Sequence, residues 1–334
     1  MIFEKKQIDA LNIELTLEIK KEDYVEKVRK ELAARKRTAE FKGFRKGMVP
    51  ESLIRRVYGD QILAEAVNGC ISEGLGKFIE ENKLNVLGEP LASEHQPEVE
   101  WKDGNDFSFI FDIALYPEVK VEAGKGDSFN RYEITPSAKE KKGMVDNLKK
   151  FYAEHKEGEK AEKTDAEIEK EVDERLEGQF KQEAEWQLGK DIRAHFVKKA
   201  AIDLPEAFLK RWLFEANGGK VSKEDIEKDF EGFLADFRWQ LVRGAFMKAW
   251  DYKIEQKDIE EEAHAYVHYQ YAMYGMSDVP HDIIDNAVKS MLGDRKQIER
   301  LAEQVEDRKV MDRLKQEVTI KAKKITSEKF RELK

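Results

Sequence analysis

The sequence predicts an α+β domain over residues 1–115, followed by an elongated all-α body with helical arms over 137–334. An extended linker, 116–136, joins them. Three observations carry this. Strict apolar alternation occurs at 11–19 and again at 107–115, whereas later apolar residues recur every three or four positions. The chain holds only 7 Pro and 20 Gly in 334 residues, which favours long helices over tight turns. Its length fits two domains.

The elements follow in order. Leu11, Ile13, Leu15, Leu17 and Ile19 share one face, the mark of a half-buried strand. Asp23 caps a helix with Val25, Val28 and Leu32 on one stripe, running toward Arg37. Residues 41–50 break that period with two glycines and a proline, predicting a loop. A second helix carries Ile62, Leu63, Ala66, Val67, Cys70, Ile71, Phe78 and Ile79. Cys70 on that stripe is expected to be a buried, inert thiol. Asp103-Gly104 turns into the strand at 107–115. Ser137 and Glu140 form a capping box. Residues 154–185 read as a solvated helix with Ile168, Val172, Leu176 and Phe180 on a narrow stripe, its polar start at 154–165 a flexible junction. Pro205 and Ser222 open two further helices, and two more runs occupy 256–274 and 281–320, with no comparable strand after 137.

Composition narrows the function. Apolar residues make up 40%, charged residues 39%, and mean hydropathy is −0.71. No run approaches the ~18 apolar residues of a membrane span. One cysteine excludes an intramolecular disulfide framework. The charged N-terminus lacks the apolar core of a secretory signal, so a cytoplasmic location is expected. Net charge is −9, yet eleven basic and three acidic residues lie between Lys27 and Arg56. That window is +8 and the rest −17. Such an island fits an anionic partner, RNA first.

Catalytic signatures are lacking. There is no P-loop, no Gly-x-Ser-x-Gly and no HExxH. Gly74-Leu75-Gly76 lies within a helical stripe and lacks a third glycine. His264 and His268 have metal-ligand spacing but no evident third ligand, so no metal or cofactor is expected.

The segment Gly43-Phe44-Arg45-Lys46-Gly47-Met48-Val49-Pro50 stands apart. Its tip offers an aromatic ring, a guanidinium and an ammonium, able to stack and to neutralise phosphates. The bland reading is a basic surface hairpin. The segment resembles the ribosome-docking signature Gly-Phe-Arg-x-Gly-Lys-x-Pro of the trigger factors, bacterial nascent-chain chaperones. Phe107–Val119 resembles the end of that family's ribosome-binding domain. Residues 202–209 and 311–333 resemble its helical C-terminal domain.

The resemblance implies a nucleotide-independent chaperone that docks on the large ribosomal subunit near the tunnel exit and shields unfolded or nascent chains. It implies docking through Gly43, Phe44, Arg45, Lys46 and Gly47, with Phe44 either at the contact or packed beneath as a positioning residue. Homodimers off the ribosome also fall within it. Two departures stand out. Met48 replaces a common lysine, and the FKBP-type prolyl isomerase domain, which would be inserted near 152–166, has no room there. No enzymatic activity is therefore expected.

The run 264–276 carries four tyrosines and two methionines. Tyr266, Tyr269, Met273 and Met276 are candidate contacts for unfolded clients, adaptable groups for promiscuous binding. The competing reading makes them core residues of a helix pair. The alternatives to ribosome docking are a ribosome-independent cytosolic holdase or assembly chaperone, against which the basic island argues, and a residual peptidyl-prolyl isomerase.

Overall fold

The computed structural model describes residues 1–154, 164–276 and 278–333. The alternating segment forms a strand because one of its faces is fully removed from water. Ile13, Leu15, Leu17 and Ile19 are buried while their neighbours are not. In chain order the elements begin β1 (Ile2–Gln7), β2 (Asn12–Ile19), α1 (Lys21–Thr38), α2 (Glu51–Glu81), β3 (Leu91–Ala92) and β4 (Phe107–Ala114). The strands form one antiparallel sheet in the order β1-β2-β4-β3, with Leu15 opposite Phe111 and Leu17 opposite Phe109. Leu17, Ile19, Phe107 and Phe109 meet Val28 and Leu32 of α1 and Ile62 and Val67 of α2 in one core.

Gly74 explains how closely α2 approaches the sheet. A Cβ there would stand 3.2 Å from Leu17, so the glycine is a packing residue rather than part of a nucleotide motif. Cys70 is buried, as its stripe position predicts. Tyr24 is buried too; burial pushes its phenol up, while its hydroxyl donates to the Asn105 carbonyl at 2.8 Å and accepts from the Gly104 amide at 2.9 Å.

Beyond β4 the order continues β5 (Ser128–Thr135), α3 (Ala138–Glu154), α4 (Asp165–Ala200), α5 (Glu206–Ala216), α6 (Lys223–Ala249), α7 (Gln256–Met273), α8 (His281–Leu292), α9 (Arg295–Glu317), β6 (Thr319–Thr326) and α10 (Ser327–Arg331). The chain divides into two compact units, residues 1–118 with 203–233, and residues 119–202 with 234–334. These are not the contiguous segments that periodicity outlines. In the first unit α5 returns to the sheet. Arg211 donates to Asp112 at 2.6 Å and to the Ala92 carbonyl at 2.7 Å. Trp212 lies against Gly88, whose φ of +72° favours glycine and whose added Cβ would fall 2.7 Å from the indole nitrogen.

In the second unit the stripe Ile168, Val172, Leu176 and Phe180 is buried against Leu148, as its spacing predicts. The start of the polar junction expected at 154–165 falls mostly outside the described residues. The helical run expected at 281–320 is interrupted: Asp294 caps a fresh helix by accepting from the Lys296 amide at 2.8 Å. The region beyond residue 116 is helical but also holds a parallel ribbon, with β5 paired to β6 from Ser128↔Thr319 to Thr135↔Thr326. The linker expected at 116–136 thus contains a strand of the second unit. Its partner is about 190 residues away, beyond the reach of any local pattern.

Glu140 fastens this ribbon to α3. It accepts from the hydroxyl of Ser327, from the Ser137 amide at 3.0 Å and from the Ser137 hydroxyl at 3.1 Å, and Arg331 pairs with it. The Ser327 and Ser137 bonds hold its carboxyl down to about 2, from an ordinary 4.5. A depressed carboxyl stabilises the fold fully above its unfolded pKa, and that contribution is lost as pH falls toward 2. Replacement Glu140→Gln should cost about 1–3 kcal/mol at neutral pH. Melting curves of the two proteins should converge as pH drops from 5 to 2. In the first unit Gly88→Ala should cost about 1–3 kcal/mol through the Trp212 clash and the positive φ, read from denaturant unfolding.

Candidate functional site

The loop between α1 and α2 is built from its two ends. The last turn of α1 carries Arg35, Lys36 and Arg37, favourable beside the negative end of the helix dipole. Past it, Phe41 packs edge-on against Tyr58 at 6.2 Å, and the Arg35 guanidinium lies over the same ring at 5.7 Å. At the exit Val49 is fully buried in the core, and Pro50 opens α2, its carbonyl accepting from the Leu53 and Ile54 amides.

Between these anchors run two successive turns. The Phe44 amide donates to the Phe41 carbonyl at 3.0 Å, and the Met48 amide to the Arg45 carbonyl at 2.9 Å. Gly43 (φ +93°) and Gly47 (φ +81°) occupy the third position of each turn. This is the type II arrangement, which demands positive φ there. No atom lies within 4 Å of an added Cβ at either glycine, so backbone conformation alone requires them.

The anchors push the tip outward. Phe44 is 44% exposed, and Met48 is 72% exposed. Lys42, Arg45 and Lys46 are exposed. Lys46 meets Glu40 at 3.6 Å, a solvent-facing pair of little energetic weight. Within the basic island Lys27 pairs with Glu73, Arg29 with Glu26, and Arg55 with Glu51 and Asp103. Among the described residues Lys30, Arg35, Lys36, Arg37, Lys42, Arg45 and Arg56 of the island make no ion pair, and five of these seven lie between residues 35 and 45. Uncommitted cations therefore concentrate at the end of α1 and in the loop.

The second candidate region lies on α7 and α8. Ala263 and Val267 of α7 meet Ile284 and Val288 of α8 and Leu301 of α9 in a core of their own. Tyr269 (64% exposed), Met273 (69%) and Met276 project to solvent. Tyr266 is half-buried, with the Arg300 guanidinium over its ring at 5.8 Å and its hydroxyl accepting from Gln270 at 2.9 Å. Tyr271 packs against the core instead. Tyr274, which the sequence stripe leaves aside, is among the most exposed aromatics and lines a groove of about 500 Å³ with Val267, Tyr271, Ala287 and Met291. Residue 274 follows the last turn of α7, where helical periodicity no longer dictates direction. Ile283 is exposed nearby in sequence, on α8. Among the described residues no group of three or more His, Cys, Asp or Glu could hold a metal ion. No helix among the described residues is long and apolar enough to cross a membrane.

Comparison with known proteins separates two segments. Residues 1–148 match the family model described as bacterial trigger factor protein, and residues 184–334 match that of the probable trigger factor C-terminal domain. The trigger factor of Francisella tularensis subsp. novicida is 28% identical over 165 residues, 49% of this chain and 36% of the relative. That of Coxiella burnetii strain CbuK_Q154 is 26% identical over 160 residues, 48% of this chain and 35% of the relative. The matched region is thus about a third of these relatives' own length. A solved structure of the trigger factor chaperone, reported for promiscuous substrate recognition in folding and assembly, superposes with a TM-score of 0.53. It covers 95% of this chain and 100% of that one at 14% identity, a likeness of fold.

Proposed function

This chain belongs to the trigger factor family, and from that premise we propose that it is a ribosome-docking chaperone of the cytoplasm that works without nucleotide. The loop Gly43–Gly47 makes the contact and exposed side chains of the helical unit hold unfolded segments. The observation that carries this reading is the displayed loop. An aromatic ring and uncommitted cations stand on two glycine-dependent turns whose ends are sunk in the core. Its planar fork makes Arg45 the main contact, since guanidinium can pair bidentately with phosphate or carboxylate and also stack. Phe44, half out of the fold, supplies apolar area beside it.

Holding clients requires apolar surface that does not drive self-association. Tyr269, Met273 and Met276 present such surface on a chain of net charge −9, where repulsion keeps copies apart. The proposal does not include prolyl isomerisation. About 35 residues separate the two family matches, and an independent domain needs at least ~50.

Combined Phe44→Ala, Arg45→Ala and Lys46→Ala should weaken cosedimentation with ribosomes by a few kcal/mol, taking ~1.5–3 for each charged hydrogen bond lost. Melting temperature should stay nearly unchanged, because the replaced side chains lie outside the core. Undiminished cosedimentation of this variant at physiological salt would remove the loop from the docking role. Replacing Tyr266, Tyr269, Met273 and Met276 together by Ser should reduce suppression of client aggregation, with the wild-type effect surviving moderate salt. Unchanged suppression would make these residues bystanders.

A further inference from the structure

The docking loop leaves a second positive feature unused, the outer edge of β6. Residues 319–326 hold three lysines, Lys321, Lys323 and Lys324, and no carboxylate, within a chain that is acidic overall. The ribbon has two strands, so β6 has one side paired to β5 and one side open. The Thr319 amide donates to the Asp127 carbonyl at 2.9 Å, which settles the phase of the strand. Alternate residues direct their backbone groups to opposite sides, so Lys321 and Lys323 point theirs at β5 while Ile320, Ala322 and Lys324 point theirs away. Among the described residues nothing bonds those outward groups. Residues 321–324 are all exposed, and none of the three lysines forms an ion pair there. Lys323 rests over the Tyr132 ring at 5.8 Å.

An open edge is a template for a further strand, and its charge selects which. A second copy of β6 would set lysine against lysine, which is unfavourable across a strand pair. RNA would use the ammonium groups but leave the row of amides and carbonyls unmatched. A strand with carboxylates at alternating positions satisfies both. We propose that β6 is a docking edge for an extended acidic segment of another polypeptide, which joins the ribbon as a third strand. This surface is separate from the loop and does not depend on ribosome docking.

The test uses the full chain and a fluorescein-labelled ten-residue peptide of alternating Glu and Val, followed by anisotropy. Saturable binding is expected. A peptide with Lys in place of Glu, or with a central proline, should bind at least tenfold more weakly. Ala322→Pro removes one outward amide while sparing the bonds to β5, a position where strands tolerate proline, and should weaken binding at least tenfold. The combined Lys321→Gln, Lys323→Gln and Lys324→Gln variant keeps every backbone bond and should weaken binding and flatten its salt dependence. Amide exchange at Ile320, Ala322 and Lys324 should slow when the wild-type chain is saturated with peptide, a readout independent of whether Ala322→Pro folds. Absence of binding, indifference to the peptide's proline, or unprotected outward amides would overturn the proposal. So would an oligouridylate that binds the same lysines in preference to the peptide.

Discussion

The display of the loop depends on the burial of Val49. A loop of two glycines and three cations has little reason of its own to hold one shape, since its tip buries almost nothing. Val49 is fully buried at one end and Phe41 is packed on Tyr58 at the other. Burying a valine supplies about 1.5–3 kcal/mol, enough to offset the ordering of one or two residues beside it. The span left between the anchors closes through two turns that only positive φ at Gly43 and Gly47 allows. Exposure of Phe44, Arg45 and Met48 then follows from this geometry.

The same economy of apolar surface governs the second unit. In a chain with 39% charged residues, the helices of this unit bury narrow stripes, and polar fasteners do the rest. Asp127 shows the pattern. Burial raises its carboxyl, but bonds from Lys199 at 2.9 Å and His195 at 2.7 Å outweigh that and leave it lowered. Glu140 plays the equivalent part for α3 and the end of β6. Apolar side chains left over from these small cores, Tyr269, Met273 and Tyr274 among them, face solvent.

Local rules made much of this legible. Burial at Ile13, Leu15, Leu17 and Ile19 follows from period-two alternation, and the stripe from Ile168 to Phe180 follows from i+4 spacing. Ser137 and Ser222 cap helices as their spacing to Glu140 and Asp225 requires. What escaped depends on distant partners. β6 is a strand because β5 offers it a ladder, since Lys323-Lys324-Ile325 carries no alternation of its own. The attachment of α5 to the sheet rests on Arg211 and on one glycine opposite Trp212, features without periodicity. In the loop the motif was visible, but its two turns and the buried anchor at Val49 were not. Tyr274 lies off the stripe of Tyr266, Tyr269 and Met273, and its exposure just past the last turn of α7 is not set by helical period.

Site-specific photocrosslinking from the tip addresses the central claim most directly. A photoreactive amino acid at position 44, in the otherwise unchanged chain, should give one dominant adduct with the large ribosomal subunit. The same group at Lys257, an exposed helical position of the other unit, should give none of it. Equal adducts from both positions, or no ribosomal adduct from position 44, would contradict a contact made by a loop held in one conformation.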